Sequence, residues 1–311
     1  MTTSPLLTRR NFLRTTALAA LAPVGCTSLH GAHGNFIDAH VHVWTPDTKR
    51  YPISPDPSFK KHRTVESFTP EELFAHSRPQ GVSHVVLIQM SFYTTDNSYM
   101  LDCIARHRGV FRGVAIVDEA KADVCATMKS LKGKDVRGFR IYTDREKAEA
   151  WQHSDGMRKM WACATDEGLA MCLLAAPESL PAVRRMCRAF PKTRVVIDHF
   201  ARIGMKGPVN RHDLDNLCRL ADFPHTHVKT SAFYAHGAKK APYTDLAPMI
   251  RRLRDTFGAS RLMWASDCPF QVQEGHTYAN SIALIRDRLD FLTAEDRQWI
   301  LRGTAEKVFF S

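Results

Sequence analysis

The sequence predicts an α/β protein built as a single, slightly distorted (β/α)8 TIM barrel. Eight short apolar runs alternate with helix-like stretches from residue 36 onwards, which is the order of elements in such a barrel. The length of 311 residues fits one domain of this kind, which commonly has about 250 residues. The first run carries histidines instead of a glycine-rich phosphate loop, which disfavours the alternative of an open, doubly wound sheet.

The predicted strands are rich in Val, Ile or Leu, as expected for parallel strands covered on both faces. They are residues 36–43, 84–90, 111–117, 136–142, 169–175, 194–200, 227–232 and 262–267. The helical stretches between them include 96–108, 120–131, 156–167, 179–190 and 243–257. Residues 44–70, rich in Pro and charge, are predicted to form a long loop over the functional site.

Residues 1–34 are predicted to be a twin-arginine export signal and a short joint, with the barrel domain covering 35–311. Arg9 and Arg10 are followed by an aromatic-aliphatic pair and a short, weakly apolar stretch, a pattern typical of such signals. The alternative is an amphipathic helix of the mature domain. The expected location is the periplasm, and Cys26 is a candidate for a lipid anchor, although Pro23 stands where an aliphatic residue is usual.

Composition narrows the class of partner. The formal net charge is +11, but the arginines are scattered and no basic run is interleaved with aromatic residues, which disfavours nucleic acid. A small anionic molecule is the expected partner. No stretch approaches the roughly 18 apolar residues of a membrane span. The eight cysteines include no Cys-x-x-Cys pair, which argues against a zinc ribbon or a dense disulfide framework.

Five polar side chains on three predicted strands indicate an active site. Asp38, His40 and His42 alternate along the first strand and are therefore expected on one face. His199 closes the sixth strand and Asp267 the eighth, and polar residues at strand carboxyl ends line the sites of TIM barrels. Two imidazoles at this spacing suit a divalent ion such as Zn²⁺. The alternative for each residue is a hydrogen-bonded polar group in the core.

Several segments resemble the amidohydrolase-related (amidohydrolase 2) family. The matching motifs are Phe-Ile-Asp-Ala-His-Val-His-Val-Trp at 36–44, Val-Arg-Gly-Phe-Arg at 136–140, Ile-Asp-His-Phe-Ala-Arg at 197–202 and Trp-Ala-Ser-Asp-Cys-Pro at 264–269. They are most similar to the branch of the 2-pyrone-4,6-dicarboxylate lactonases, 4-sulfomuconolactone hydrolases and L-fuconolactonases. The resemblance runs from about Phe36 to Phe310.

The resemblance implies hydrolysis of a lactone or cyclic ester, with or without a metal. Asp267 would be the general base that takes a proton from the attacking water. His40, His42, His199 and Asp267 would hold one divalent metal, expected to be zinc. In a metal-free site the imidazoles, His199 among them, would polarise the lactone carbonyl directly.

The resemblance also implies substrate-binding residues. Arg140 and Arg202 match positions that clamp substrate carboxylates, and their alternative role is a salt bridge at the barrel end. Trp44 and Tyr93 are further candidates for contact with substrate, although aromatic residues at strand ends also pack the barrel mouth. Asp38 and Lys229 are candidates for support of the site.

Two departures from the family pattern restrict the function. Tyr234-Ala235 stands where dicarboxylate lactonases have Tyr-Arg, which argues against a pyrone dicarboxylate as substrate. The fifth strand offers no His, Lys or Glu, which argues against a two-metal centre. The missing histidine also disfavours the second hypothesis, metal-dependent decarboxylation of an aromatic acid. A third hypothesis is a binding protein without catalysis.

Overall fold

The computed structural model describes residues 35–311, apart from the side chains at 60–62. The predicted export signal and Cys26 lie outside the described residues, and both stay predictions. Within 35–311, no helix has the length and apolar character needed to span a membrane.

Eight parallel strands form one sheet in sequential order, and the barrel prediction is confirmed. The strands are β1 Phe36–Val41, β2 Val82–Ile88, β3 Phe111–Ala115, β4 Val136–Thr143, β5 Ala170–Ala175, β6 Arg194–Ile197, β7 Thr226–Ser231 and β8 Leu262–Ala265. The first and last strands meet through two backbone hydrogen bonds. His42 N–H donates to the Cys268 carbonyl at 2.8 Å, and Asp267 N–H donates to the His40 carbonyl at 2.9 Å.

Ten α-helices lie between and after the strands, and the five predicted helical stretches are confirmed as α2, α3, α5, α6 and α8. The bounds are α1 Pro70–Ser77, α2 Ser98–Arg106, α3 Val124–Lys132, α4 Arg145–Ala150, α5 Asp155–Glu167, α6 Leu180–Ala189, α7 Arg211–Cys218, α8 Ala247–Phe257, α9 Tyr278–Ala283 and α10 Ala294–Gln298. The predicted loop 44–70 contains one short 3-10 helix, Pro57–His62.

The longest helix, α5, shows why these segments fold as they do. The Ser154 side chain accepts from the Met157 N–H and caps the first turn, and Gly168 ends the helix with φ 65°. Met157, Met160 and Trp161 form its buried face, at the spacing of an amphipathic helix.

The core has two parts, one outside the barrel wall and one within it. The larger part fills the space between strands and helices. The smaller part fills the barrel interior with Ile37, Ala39, Val86, Ile88, Val114, Ala170, Cys172, Val196, Met263, Ala265, Ala305, Val308 and Phe309. We call this set the lower layer. Its last three residues come from the C-terminal segment, which closes the end of the barrel where the strands begin.

β1 is irregular, and this changes where its side chains point. Its pairing with β2 shifts register between Asp38 and Val41. Ile37 and Ala39 belong to the lower layer, and His40 and His42 also reach the interior. Asp38 instead accepts from the Tyr278 hydroxyl at 2.7 Å in the outer core. The prediction that Asp38 shares a face with the two histidines is wrong.

Candidate active site

Three imidazole nitrogens converge on one carboxylate oxygen at the carboxyl end of the barrel. Asp267 Oδ1 lies 3.5 Å from His40 Nε2, 3.4 Å from His42 Nε2 and 3.7 Å from His199 Nε2. All four residues are buried. One ligand atom from each of His40, His42 and Asp267 lies within 4.8 Å of the others, as a metal centre requires.

The tautomers of His42 and His199 are fixed by hydrogen bonds at Nδ1, the ring nitrogen that points away from Asp267. His42 Nδ1 lies 2.8 Å from the Ile88 carbonyl, which can only accept, so Nδ1 carries the proton. His199 Nδ1 lies 2.8 Å from the Ser231 hydroxyl, which is itself within reach of the Lys229 carbonyl as a donor. Both arrangements leave Nε2 unprotonated, which is the form that binds a metal.

The rings of His199 and His40 are held neutral by their surroundings. Burial lowers the pKa of His199 to about 4, and burial together with the Lys229 ammonium holds the pKa of His40 well below its usual range. At neutral pH these imidazoles can therefore offer lone pairs without first losing a proton.

Asp267 is positioned by a strained backbone and a tyrosine. Its φ is 66°, in the left-handed region that L-residues seldom adopt. The Tyr234 hydroxyl donates to Oδ2 at 2.7 Å, while buried Oδ1 has no hydrogen-bond partner in the described protein. The Tyr234 hydrogen bond favours the charged form of the carboxylate, and the cationic Arg140 interacts with the same group. The carboxylate is therefore ionised.

A cluster of buried charges supports the imidazoles from within the barrel. Lys229 is fully buried, and its Nζ lies 2.9 Å from Asp198 Oδ1 and 3.1 Å from His40 Nδ1. Arg140 Nη1 lies 3.4 Å from Asp198 Oδ2 and 3.1 Å from His40 Nε2. Although burial alone would raise it, Lys229, His40 and Arg140 hold the pKa of Asp198 well below its usual range. We use the name upper layer for seven buried residues: Arg140, Asp198, Lys229, His40, His42, His199 and Asp267.

The chain turns sharply where β6 ends. His199, Phe200, Ala201 and Arg202 have φ values of 50°, 52°, 54° and 61°, a left-handed turn without glycine. Each such residue costs about 1–2 kcal/mol, a strain that proteins concentrate at functional sites. The turn ends the alternation of the strand, so that consecutive residues Asp198 and His199 both reach the interior.

A cavity of about 210 Å³ opens above Asp267. Its lining combines a few polar groups with apolar walls, as is usual for small-molecule sites. The lining residues are His42, Met90, Arg140, Tyr142, Leu174, His199, Arg202, Met205, Ala232, Tyr234, Asp267 and Phe270. Arg140 and Arg202 thus lie in the same small cavity as the predicted general base.

The family model described as Amidohydrolase matches residues 37–310. The chain belongs to the amidohydrolase family. The match covers every upper-layer residue and, apart from Phe36, all eight described strands. This confirms the resemblance that the sequence motifs indicated.

Two curated relatives of this amidohydrolase are lactone hydrolases. The L-fucono-1,5-lactonase of Burkholderia ambifaria is 28% identical over 273 residues, which are 86% of this chain and 93% of that protein. The 4-sulfomuconolactone hydrolase of Hydrogenophaga intermedia is 26% identical, with 88% of each chain covered. An amidohydrolase of Burkholderia multivorans, solved with bound zinc, shares the fold with a TM-score of 0.74 at 19% identity, covering 88% of this chain and 99% of that chain.

Two predicted substrate contacts are corrected by the structure of this amidohydrolase. The Trp44 ring packs against Phe92, and its indole N–H donates to the Val65 carbonyl at 3.1 Å. Tyr93 is also buried, and its hydroxyl accepts from the Thr45 N–H at 3.4 Å. Neither residue lines the cavity above Asp267. Both support the wall behind it.

Sequence reasoning missed the roles of two residues at the site, Asp198 and Tyr234, and undervalued that of a third, Lys229. Asp198 was hidden because adjacent strand residues should face opposite ways, and the left-handed turn breaks that rule. Tyr234 was noticed only for the arginine missing after it. Lys229 was a candidate on residue type alone, and its signal was a lysine in the middle of an otherwise buried strand.

Proposed function

We propose that this amidohydrolase opens the ring of a small lactone, with Asp267 as the general base. The observation that carries the proposal is the ionised Oδ1 of Asp267, which has no hydrogen-bond partner in the described protein and faces three imidazole nitrogens beside a small cavity. The names of the two curated relatives agree with this chemistry.

The residues around Asp267 have separate roles, which follow from their positions. Tyr234 occupies Asp267 Oδ2, which leaves Oδ1 to accept the proton of the attacking water. Ser231 and the Ile88 carbonyl hold the rings of His199 and His42 in fixed orientations. Fixed groups of this kind cost no rearrangement at the moment of reaction.

The donor set fits one divalent ion, which we propose to be zinc. His40, His42 and Asp267 would hold it, with His199 as the neighbouring fourth group. When bound, the ion supplies Lewis-acid polarisation of the lactone carbonyl. β5 turns Ala170 and Cys172 into the barrel and Leu174 into the cavity, and provides no second carboxylate or histidine. This supports one metal rather than two, and it disfavours the decarboxylase hypothesis.

One contact favours a metal-free variant of the same reaction. Arg140 Nη1 lies 3.1 Å from His40 Nε2, where it competes with a metal for the lone pair. In that case the guanidinium would supply the positive charge near the lactone carbonyl. Metal analysis of the purified protein, followed by ring opening with and without a chelator, separates the two. A chelator-insensitive enzyme without stoichiometric metal would support the Arg140 arrangement.

The substrate is proposed to carry a carboxylate or sulfonate. Arg140 and Arg202 line the cavity, and planar guanidinium groups pair bidentately with such oxyanions. The volume of about 210 Å³ suits a small ring. A panel of anionic lactones and neutral sugar lactones of equal ring size tests this, and a preference for neutral lactones would contradict it.

The base is tested with Asp267→Asn and a matched Asp290→Asn control. Asp290 is exposed and remote from the cavity. On the best lactone of the panel, Asp267→Asn should lower kcat by about 10²–10⁴-fold, the range typical of a general base. The control should leave kcat unchanged. Full turnover by Asp267→Asn would eliminate this assignment, whereas binding without turnover in the wild type would favour the binding-protein hypothesis.

For location, we propose export to the periplasm through the twin-arginine segment. Replacing both Arg9 and Arg10 by Lys keeps the charge and should retain the protein in the cytoplasm on fractionation. Cys26→Ala should release the protein from the membrane fraction only if the cysteine is lipidated. A periplasmic pool that survives the Lys replacement would contradict the proposed route.

A further inference from the structure

A second cavity, of about 520 Å³, lies at the opposite end of the barrel from Asp267. Three neighbouring parallel strands begin there. Arg194 is the first residue of β6, His227 is the second residue of β7, and Arg261 immediately precedes β8. The cavity is lined by Arg194, Ala221, Asp222, Pro224, His225, His227, Ser260, Arg261, Lys307 and Val308.

Both arginines are anchored by backbone carbonyls that fix the plane of the guanidinium group. Arg194 Nη1 donates to the Val308 carbonyl at 2.8 Å and to the Gly168 carbonyl at 3.1 Å. Arg261 donates through Nε to Phe257 at 2.7 Å and through Nη1 to two further carbonyls. In the described part of the chain, Nη2 of each arginine has no protein acceptor. The Nη2 groups of Arg194 and Arg261 are therefore fixed in position and available to donate to a ligand.

Within the described residues, the basic side chains of this cavity form no ion pair. Among residues 35–311, no ion pair involves Arg194, Arg261 or Lys307, and the acidic lining residue, Asp222, is paired with Arg184 at 2.8 Å. Burial lowers the pKa of Arg194 and that of Arg261, as expected for cations that lose water without gaining a counter-ion. None of these three basic residues lines the cavity above Asp267.

We propose that this cavity binds a phosphate-type dianion, either inorganic phosphate or the head of a phosphate monoester. The free Nη2 of each fixed guanidinium group can donate to a phosphate oxygen, and the Lys307 ammonium adds a third positive charge. The proposal is independent of the proposed lactone hydrolysis, because the two cavities share no lining residue.

Calorimetric titration of the full chain with inorganic phosphate, in chloride buffer of low ionic strength, tests the site. The wild type should show one saturable site. The double variant Arg194→Met/Arg261→Met should weaken it by at least about tenfold, which is about 1.4 kcal/mol. The matched control, Arg252→Met/Arg286→Met, removes the same charge from two arginines that pair with Asp215 and Asp287. It should change the Kd by less than about twofold, since remote exposed charges are screened.

Other variants keep the test decisive if the double variant does not fold. Lys307→Gln removes a charge but none of the anchoring bonds, and Arg261→Lys keeps the charge but loses the fork. Each should weaken phosphate binding by about threefold, as expected for one of several contacts. Unchanged affinity in both, or an equal loss in the control, would overturn the proposal. So would binding that survives Arg194→Met/Arg261→Met and disappears in Arg202→Met, because it would place the phosphate in the active site.

A vesicle-binding experiment distinguishes a lipid head group from a soluble anion as the source of the phosphate. Wild-type protein is mixed with vesicles that contain phosphatidic acid, whose head group is a phosphate monoester, and, separately, with vesicles of neutral phosphatidylcholine. Binding to the anionic vesicles that is lost in Arg194→Met/Arg261→Met supports the same site and assigns the phosphate to a lipid head group. Binding to free phosphate alone supports the site and assigns it to a soluble anion.

Discussion

The upper and lower layers of the barrel interior are made by the same strands but have opposite character. β6 contributes Val196 to the lower layer and leads into Asp198 of the upper layer. β8 contributes Met263 and Ala265 below and leads into Asp267 above. The lower layer is apolar and closed by the C-terminal segment, whereas the upper layer buries two carboxylates, two cations and three imidazoles. Removing charges from water is costly, so the upper layer depends on mutual pairing in a way that the lower layer does not.

The largest expected effect comes from breaking the pairing in the upper layer. Lys229→Met leaves Asp198 without its nearest cation, and an unpaired buried charge typically costs about 3–5 kcal/mol of unfolding free energy. Urea denaturation measures the loss. Lys147→Met, which removes an exposed partner of Asp144, should cost less than about 0.5 kcal/mol. A Lys229→Met protein as stable as the wild type would show that the upper layer does not need its pairing.

A cavity in the lower layer should reduce stability and leave the chemistry intact. Met263→Ala removes a fully buried side chain and should cost about 3 kcal/mol of unfolding free energy. Below the unfolding temperature, kcat on the best lactone should stay within about twofold of the wild type, because no upper-layer contact is removed. A large fall in kcat with little change in stability would mean that the two layers are not separable.

The reverse effect is expected for Tyr234→Phe. This change removes the hydroxyl that donates to Asp267 Oδ2 and keeps the ring. A hydrogen bond to a charged group contributes about 1.5–3 kcal/mol, so kcat/KM should fall by about 10–100-fold. The melting temperature measured in parallel should change by only a few degrees. Unaltered kcat/KM would show that Oδ2 needs no partner.

The smallest expected effect is on the pH dependence of stability, and it comes from His227, at the end of the barrel where the strands begin. Burial lowers the pKa of His227 to about 4, below the value of about 6.5 in an unfolded chain. The unfolded state therefore binds the proton first, and stability is complete above pH 6.5 and is lost as the pH falls towards 4. Between pH 7 and 5 this histidine should account for about 1–2 kcal/mol.

His227→Gln should reduce the change in unfolding free energy between pH 7 and 5 by about 1–2 kcal/mol, measured by urea denaturation in phosphate-free buffer. The remaining slope would come from His40 and His199 in the upper layer, whose pKa values are also lowered. An unchanged slope in His227→Gln would assign the whole effect to that layer.

Sequence pattern predicted the strands and the rim residues because both follow from regular geometry. Parallel strands need apolar runs, and their carboxyl ends meet, so His40, His42, His199 and Asp267 were found together. The errors occur where the geometry is irregular. Because of the register shift in β1, Asp38 faces the outer core although His40 and His42 face the interior. The left-handed turn after β6 lets Asp198 face the interior together with His199. Neither the register shift nor the turn is marked by a glycine in the sequence. Trp44 and Tyr93 were misplaced because exposure of an aromatic residue depends on how the long loop packs.

The C-terminal segment that closes the lower layer is synthesised after all eight strands. Until Ala305, Val308 and Phe309 have left the ribosome, the strands lack the side chains that fill the lower end of the barrel. Folding of the barrel can therefore reach completion only after this segment has been made, although earlier segments can associate before then. The predicted export signal precedes all eight strands, so any partner that recognises it can engage the chain before the barrel is complete.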